Sequence, residues 1–136
     1  NENLKLFYDT NKIENEIFIF EKNFSNLINK ADLCISRAGA SSLAEISIMN
    51  KPFLAIPLPN SKDDHQMENA KMYEKLNCCW ILNQKLFNND KLIKFLIKIL
   101  EDKTEYTNKI KNLNKLNYQN TWNDINQKIK EIINEN

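Results

Sequence analysis

Glycine is almost absent: Gly39 is the only one in 136 residues, where average usage of about 7% gives nine or ten. A phosphate cradle built on a run of glycines is therefore excluded. Arginine and histidine also occur once each, as Arg37 and His65. Charge of one sign is missing too, with 19 lysines and arginines against 18 acids and a net charge of +1. Binders that hold nucleic acid mainly by electrostatics are strongly basic, so no nucleic-acid partner is expected. No apolar run reaches the ~18 to 20 residues that span a bilayer. Asn1 to Lys5 is polar, with no apolar segment behind it of the kind a secretory leader carries. The three cysteines are odd in number and Cys78 and Cys79 are adjacent, which argues against a disulfide framework and for a reducing, cytoplasmic setting.

What is present suffices for a globular domain. Apolar residues make up 42% of the chain and charged residues 27%, and the length fits one domain. Asparagine (23), lysine (18) and isoleucine (17) dominate; all three have A/T-rich codons, so surface lysines and asparagines carry little information. The rare residues carry more, and Arg37 and Gly39 stand two positions apart.

Along the chain, residues 1–15 are poorly patterned and read as a strand remnant and a loop. Ile17-Phe18-Ile19-Phe20 is a β-branched and aromatic run that predicts a buried strand. Phe24, Leu27 and Ile28 predict a short helix to Lys30. Leu33-Cys34-Ile35 is a second strand, and Leu43 and Ile46 lie in a helix that stops before Pro52. Phe53 to Ile56 is a third strand, closed by the Pro57-Leu58-Pro59 turn. A helix from Asp64 to Leu76, a fourth strand from Cys78 to Leu82, and helices over 90–100, 104–116 and 121–133 follow. Strands alternating with helices imply βαβ units and an α/β fold with a Rossmann-like parallel sheet and flanking helices. Ligands of such sheets bind outside the carboxyl ends of the strands. Two polar clusters, 36–45 and 60–69, follow strands there and are expected to face one cleft.

In the first cluster, Gly39 permits a strand-to-helix turn with φ > 0. Ser41 and Ser42 then open a helix whose free amides and positive dipole end favour an anion, and the small Ala38 and Ala40 let it approach. Ser42-Leu43-Ala44-Glu45 also matches a capping box, which gives Glu45 a local structural role. Arg37 reads equally as a surface ion pair. In the second cluster, Asp63 or Asp64 fits an N-cap, and His65, Gln66 and Asn69 near the helix start suit a polyhydroxylated ligand such as a sugar. Adjacent Asp63, Asp64 and His65 converge poorly on one ion, so no metal site is expected. The cysteines sit in apolar strands and read as small buried residues rather than nucleophiles. Trp122, Ile125, Ile129, Ile132 and Ile133 form an apolar stripe that reads as packing, with weak membrane contact as the alternative.

The run Ala31-Asp32-Leu33-Cys34-Ile35-Ser36-Arg37-Ala38-Gly39-Ala40-Ser41-Ser42-Leu43-Ala44-Glu45 closely resembles the MurG family, glycosyltransferase family 28. So do Lys51-Pro52, Pro57-Leu58-Pro59 and Asp63-Asp64-His65-Gln66 through Asn69-Ala70. The resemblance covers residues 17–82 by motif and 83–136 by helical pattern. It implies the C-terminal half of a GT-B glycosyltransferase, with 1–136 a single, incomplete UDP-sugar-binding domain. The family transfers GlcNAc from UDP-GlcNAc onto undecaprenyl-pyrophosphoryl-MurNAc-pentapeptide (lipid I), making lipid II for peptidoglycan and hence for cell-wall growth, shape and division.

Carried onto this sequence, the resemblance puts the pyrophosphate on Gly39, Ala40, Ser41 and Ser42, the ribose on Glu45, and the GlcNAc hydroxyls on His65 and Gln66. Arg37, Asp64 and Asn69 support the loops, and Phe20 and Glu21 form the uracil corner, where the family usually has an apolar residue in place of Glu21. It further implies metal-independent, inverting chemistry with no cofactor, at the inner face of the bacterial plasma membrane. The catalytic base and the lipid-acceptor surface fall in an N-terminal half that this chain does not resemble, so the chain alone is not expected to turn over. A nucleotide-sugar-binding subunit that meets a separate acceptor protein, and an inactive fragment, are the alternatives.

Overall fold

The computed structural model describes residues 2–86, 88–116 and Lys130. Three short strands, β1 (Cys34–Ser36), β2 (Phe53–Ala55) and β3 (Cys79–Ile81), form a parallel sheet in the order β1-β2-β3. Ile35, Leu54 and Trp80 lie side by side across it. The helices among the described residues are α1 (Glu2–Thr10), α2 (Phe24–Lys30), α3 (Ala40–Ile48), α4 (His65–Lys75), α5 (Asn89–Glu101) and α6 (Lys103–Lys115). The expected α/β architecture with a parallel sheet and flanking helices is present.

The pleat of β2 organises the core. Successive side chains point to opposite faces, and all three residues of this central strand are fully buried. Phe53 and Ala55 pack on one face with Leu43 and Ile46 of α3 and Ala70 and Tyr73 of α4. The Phe53 and Tyr73 rings meet edge to face at 5.4 Å. Leu54 faces the other way, with Trp80, Ile99 and the partly buried Leu92, Phe95 and Leu96 of α5. Burial on both faces is why β2 reads as a continuous apolar run rather than an alternating one.

Asparagine takes the place of glycine at two helix ends. Asn50 follows α3 at φ 54° and Asn77 follows α4 at φ 52°. In each case the amide of the next residue bonds back into the helix, Lys51 to Ile46 and Cys78 to Tyr73, as in a glycine-terminated helix. Asn88 caps α5 by accepting from the Lys91 amide at 3.0 Å, and Asp102 caps α6 by accepting from Glu105 at 2.8 Å. A buried lysine anchors α6: Lys109 Nζ donates to Asn77 Oδ1 at 2.9 Å and lies 4.6 Å from the centre of the Trp80 ring. It is also 3.5 Å from Glu105, which accepts from Trp80 Nε1 at 2.8 Å.

Two expectations fail near the start. Ile17 to Phe20 is not a strand: among the described residues no strand pairs with it, and Ile19 is 98% and Phe20 79% exposed. Strand propensity without a ladder partner or a covered face does not hold an extended segment. Residues 2–10, expected as strand and loop, are helix α1, with a Lys5–Asp9 ion pair at 3.2 Å one turn apart. The helix expected over 121–133, with its apolar stripe, lies outside the described residues except for Lys130, which is helical.

Candidate functional site

The two polar clusters meet at the carboxyl edge of the sheet, and Ala38 is where they join. This residue follows β1, is fully buried, and has both backbone groups taken by α4. Its amide donates to Gln66 Oε1 at 3.3 Å and its carbonyl accepts from Asn69 Nδ2 at 3.1 Å. The same Gln66 oxygen accepts from the Leu58 amide at 3.0 Å, which ties in the turn after β2. Ser61, which the sequence reading did not single out, accepts from the Gln66 amide at 3.4 Å. Gln66 and Asn69 thus hold loops with the atoms described, and a hydroxylated ligand would meet what remains of the Gln66 amide group.

Helix α3 starts two residues after Ala38. Gly39 is its N-cap and no side chain caps it, so the first-turn amides of Ala40, Ser41 and Ser42 have no intrahelical carbonyl to bond. They sit at the positive end of the helix dipole, beside small side chains, which suits an anion. Two local expectations are corrected here. Gly39 has φ −66° and ψ 138°, an extended conformation open to any residue, and an added Cβ there meets nothing nearer than Ser42 Oγ at 3.7 Å. Its lack of a side chain matters for access rather than for strain. The capping box is also absent, because the helix begins at Ala40 and Glu45 stands in its second turn, too far along to reach back to the cap.

Glu45 is instead exposed, and no described residue engages its carboxylate. It borders a cavity of about 280 Å3 between α2 and α3, with Lys22, Ser25, Ile28 and Met49. Phe24, Ile28, Ile48 and Met49 make its floor mostly apolar, with the Glu45 carboxylate and Lys22 as its charged groups. Phe20 and Glu21 lie before α2, Phe20 in solvent and Glu21 accepting from the Asn23 amide at 2.7 Å. Neither is among the residues that border the cavity.

On the other flank, a one-turn helix over Lys62–Asp64 leads into α4 with two successive left-handed residues, Asp63 at φ 47° and Asp64 at φ 56°. Aspartate tolerates that region better than most residues, but two in a row are strained. The turn aims Asp63 Oδ2 at His65 Nε2, 3.7 Å away, with both side chains largely in solvent. Asp64 occupies the N-cap position without capping. Among the described residues no group of three or more His, Cys, Asp or Glu is placed to hold a metal ion.

Arg37 makes no ion pair among the described residues. Its Nη1 donates to the Ile56 carbonyl at 3.3 Å and to Gln84 Oε1. Gln84 is a site-edge residue the sequence reading missed; its position just beyond β3 was the available signal. The cysteines are the buried small residues expected, Cys79 and Cys78 fully and Cys34 in part. Burial pushes the Cys79 thiol up to about 12 and also raises Cys34 and Cys78, which makes all three poor nucleophiles.

Comparison with known proteins agrees with the motifs. The profile of the glycosyltransferase family 28 C-terminal domain matches residues 1–131, so the chain belongs to that family. It is 50% identical over 135 residues to a Pelagibacter ubique protein named UDP-N-acetylglucosamine–N-acetylmuramyl-(pentapeptide) pyrophosphoryl-undecaprenol N-acetylglucosamine transferase, covering 99% of this chain and 38% of that one. A Rickettsia bellii protein of the same name is 35% identical over 110 residues, covering 81% of this chain and 31% of that one. The chain therefore spans about a third of the length of these relatives. The crystal structure of Acinetobacter baumannii MurG superposes with a TM-score of 0.71 at 23% identity, covering 85% of this chain and 33% of that one, a likeness of fold.

Proposed function

We propose that this chain, as a family 28 C-terminal domain, binds UDP-GlcNAc as the donor part of an inverting transferase that makes lipid II from lipid I. The observation that carries the reading is the uncapped first turn of α3, open at the carboxyl edge of a parallel sheet and locked to α4 through Gln66 and Asn69. In this reading the amides of Ala40, Ser41 and Ser42 receive the diphosphate beside the open Cα of Gly39. Glu45 accepts from the ribose hydroxyls, and uracil lies toward Phe20, Glu21 and the cavity beside Glu45. His65 and Gln66 meet the GlcNAc hydroxyls, while Asp64 and Asn69 shape the loop.

The reaction follows from that placement. An acceptor hydroxyl attacks the anomeric carbon from the face opposite the diphosphate, the bond from that carbon to the diphosphate oxygen breaks, and UDP leaves with the electron pair. Charge grows on the departing diphosphate, where the α3 amides, its dipole and Arg37 lie ready without reorganisation. We assign this stabilisation to these groups rather than to a metal. Acceptor binding and the base that takes the hydroxyl proton are assigned to the length of the relatives that this chain does not span. In this reading a lipid-linked acceptor and a nucleotide-sugar donor meet at the inner face of the membrane, with the enzyme peripheral there; among the described residues no helix is long and apolar enough to cross one.

Calorimetric titration with UDP-GlcNAc, UDP-GalNAc and UDP tests the reading. Saturable binding with a preference for the GlcNAc nucleotide supports it. A folded chain that binds none of the three overturns it.

A further inference from the structure

The single arginine follows β1 and is held by atoms that follow β2 and β3. Arg37 stands one residue beyond β1, Ile56 one residue beyond β2, and Gln84 three residues beyond β3. Arg37 Nη1 donates to the Ile56 carbonyl and to Gln84 Oε1, so the guanidinium crosses the whole carboxyl edge of the sheet. Arg37, Ile56 and Gln84 border one cavity of about 300 Å3 there, with Ser36 at the end of β1.

Gln84 is itself fixed. It opens a one-turn helix over Gln84–Leu86, in which Asn83 Oδ1 accepts from the Lys85 amide at 3.0 Å and the Asn83 carbonyl accepts from Leu86 at 3.0 Å. Gln84 is half-buried while Arg37 is exposed. Both acceptors on Arg37 are neutral, so they orient the guanidinium without cancelling its charge. A carboxylate in place of Gln84 would orient it equally well and neutralise it. A cation that is oriented, uncompensated and open to the cleft is preorganised for an anion.

We propose that Gln84 is a positioning residue that holds the Arg37 guanidinium across the strand ends, ready for the diphosphate of the nucleotide sugar. This role rests on the donor-site reading above. Gln84 acts only through Arg37, and uridine, which lacks the diphosphate, does not sense it.

The test measures UDP and uridine affinity for the unmutated chain, Gln84→Leu and Gln84→Asn, the last keeping the amide but one methylene too short to reach. Both variants should weaken UDP binding about fivefold to tenfold, the scale of one oriented charge-assisted hydrogen bond, and leave uridine unchanged. In an Arg37→Ala background Gln84→Leu should cost nothing further. Because Arg37 is the only arginine, its guanidinium gives one set of side-chain nitrogen signals. Resolved Nη protons in the unmutated chain should average together in Gln84→Leu. Unchanged UDP affinity in both Gln84 variants, a parallel loss of uridine affinity, or full additivity with Arg37→Ala would each overturn the proposal. An unmutated chain that binds uridine but not UDP overturns the proposal, and one that binds neither overturns the donor-site reading and this role with it.

Discussion

Gln66 accepts the amide proton of Ala38 across 28 positions of sequence at 3.3 Å, and with the same oxygen takes the amide of Leu58 at 3.0 Å. One side-chain atom on the first turn of α4 thereby fixes the turns that leave β1 and β2. The residue that resemblance assigns to sugar contact is also a brace for the loops that form the site.

Replacing Gln66 therefore touches stability as well as affinity. Gln66→Ala leaves the amides of Ala38 and Leu58 without this acceptor and should cost about 1–3 kcal/mol in denaturant melts, the usual penalty for a part-buried donor left unpaired. Gln66→Glu keeps an acceptor oxygen and should recover most of that loss. Equal stability of the alanine variant and the unmutated chain would show that the two bonds contribute nothing.

Gly39 separates fold from ligand in the opposite sense. Its extended φ and ψ suit any residue, and an added Cβ would meet only Ser42 Oγ at 3.7 Å, an ordinary contact. Gly39→Ala should change stability by less than about 1 kcal/mol, because lower unfolded-state entropy offsets a poorer N-cap. The added methyl stands beside the α3 amides, so UDP affinity should fall about tenfold. A large drop in stability with intact UDP binding would reverse this assignment.

The layered architecture was legible in the sequence because apolar runs at Leu33–Ile35, Phe53–Ile56 and Cys78–Leu82 alternate with helical patterns, and burial on both faces of β2 enforces that signal. Ile17–Phe20 carried the same composition without a neighbour to pair with, and a strand is a property of its partners. Leu4, Phe7 and Tyr8 share helical spacing in α1, a pattern hidden among the polar residues around them. That the two clusters meet at the carboxyl edge was legible from their places after the strands, and their bracing was not, since Gln66 to Ala38 and Gln84 to Arg37 are contacts between distant segments. Scarce glycine misled at Gly39, where the backbone needs none, while Asn50 and Asn77 quietly fill the left-handed positions.

The α6 anchor predicts a stability effect far from the site. Lys109→Ala removes a buried cation from the Trp80 face, its bond to Asn77 and its pairing with Glu105. It should destabilise the chain by about 2–4 kcal/mol in thermal or denaturant unfolding. Lys109→Met, which keeps the apolar stem, should cost less. A neutral Lys109→Ala would contradict the anchoring role.

The buried thiol of Cys79 sets a limit at high pH. Burial raises it from 9.0 to about 12 in the folded chain, with Lys109 opposing and Glu74 and Cys78 adding smaller pushes. Below 9 the thiol is neutral in both states and costs nothing. Between 9 and about 12 the unfolded chain gives up the proton while the folded chain keeps it, so stability falls as pH rises. Denaturant melts at pH 8 and about 10.5 should show this loss, on the order of 1 kcal/mol per pH unit. It should shrink in Cys79→Ala, and an unchanged slope in that variant would assign the loss to other groups.

The most direct test of the account is an amide-resolved NMR titration of the unmutated chain and Glu45→Ala with UDP-GlcNAc. The account predicts saturable shifts at Ala40, Ser41 and Ser42 together with His65 and Gln66. Glu45→Ala should retain the fold and the same shift pattern at about tenfold weaker affinity. A folded chain whose α3 amides do not move with nucleotide sugar, or whose shifts gather elsewhere, would contradict it.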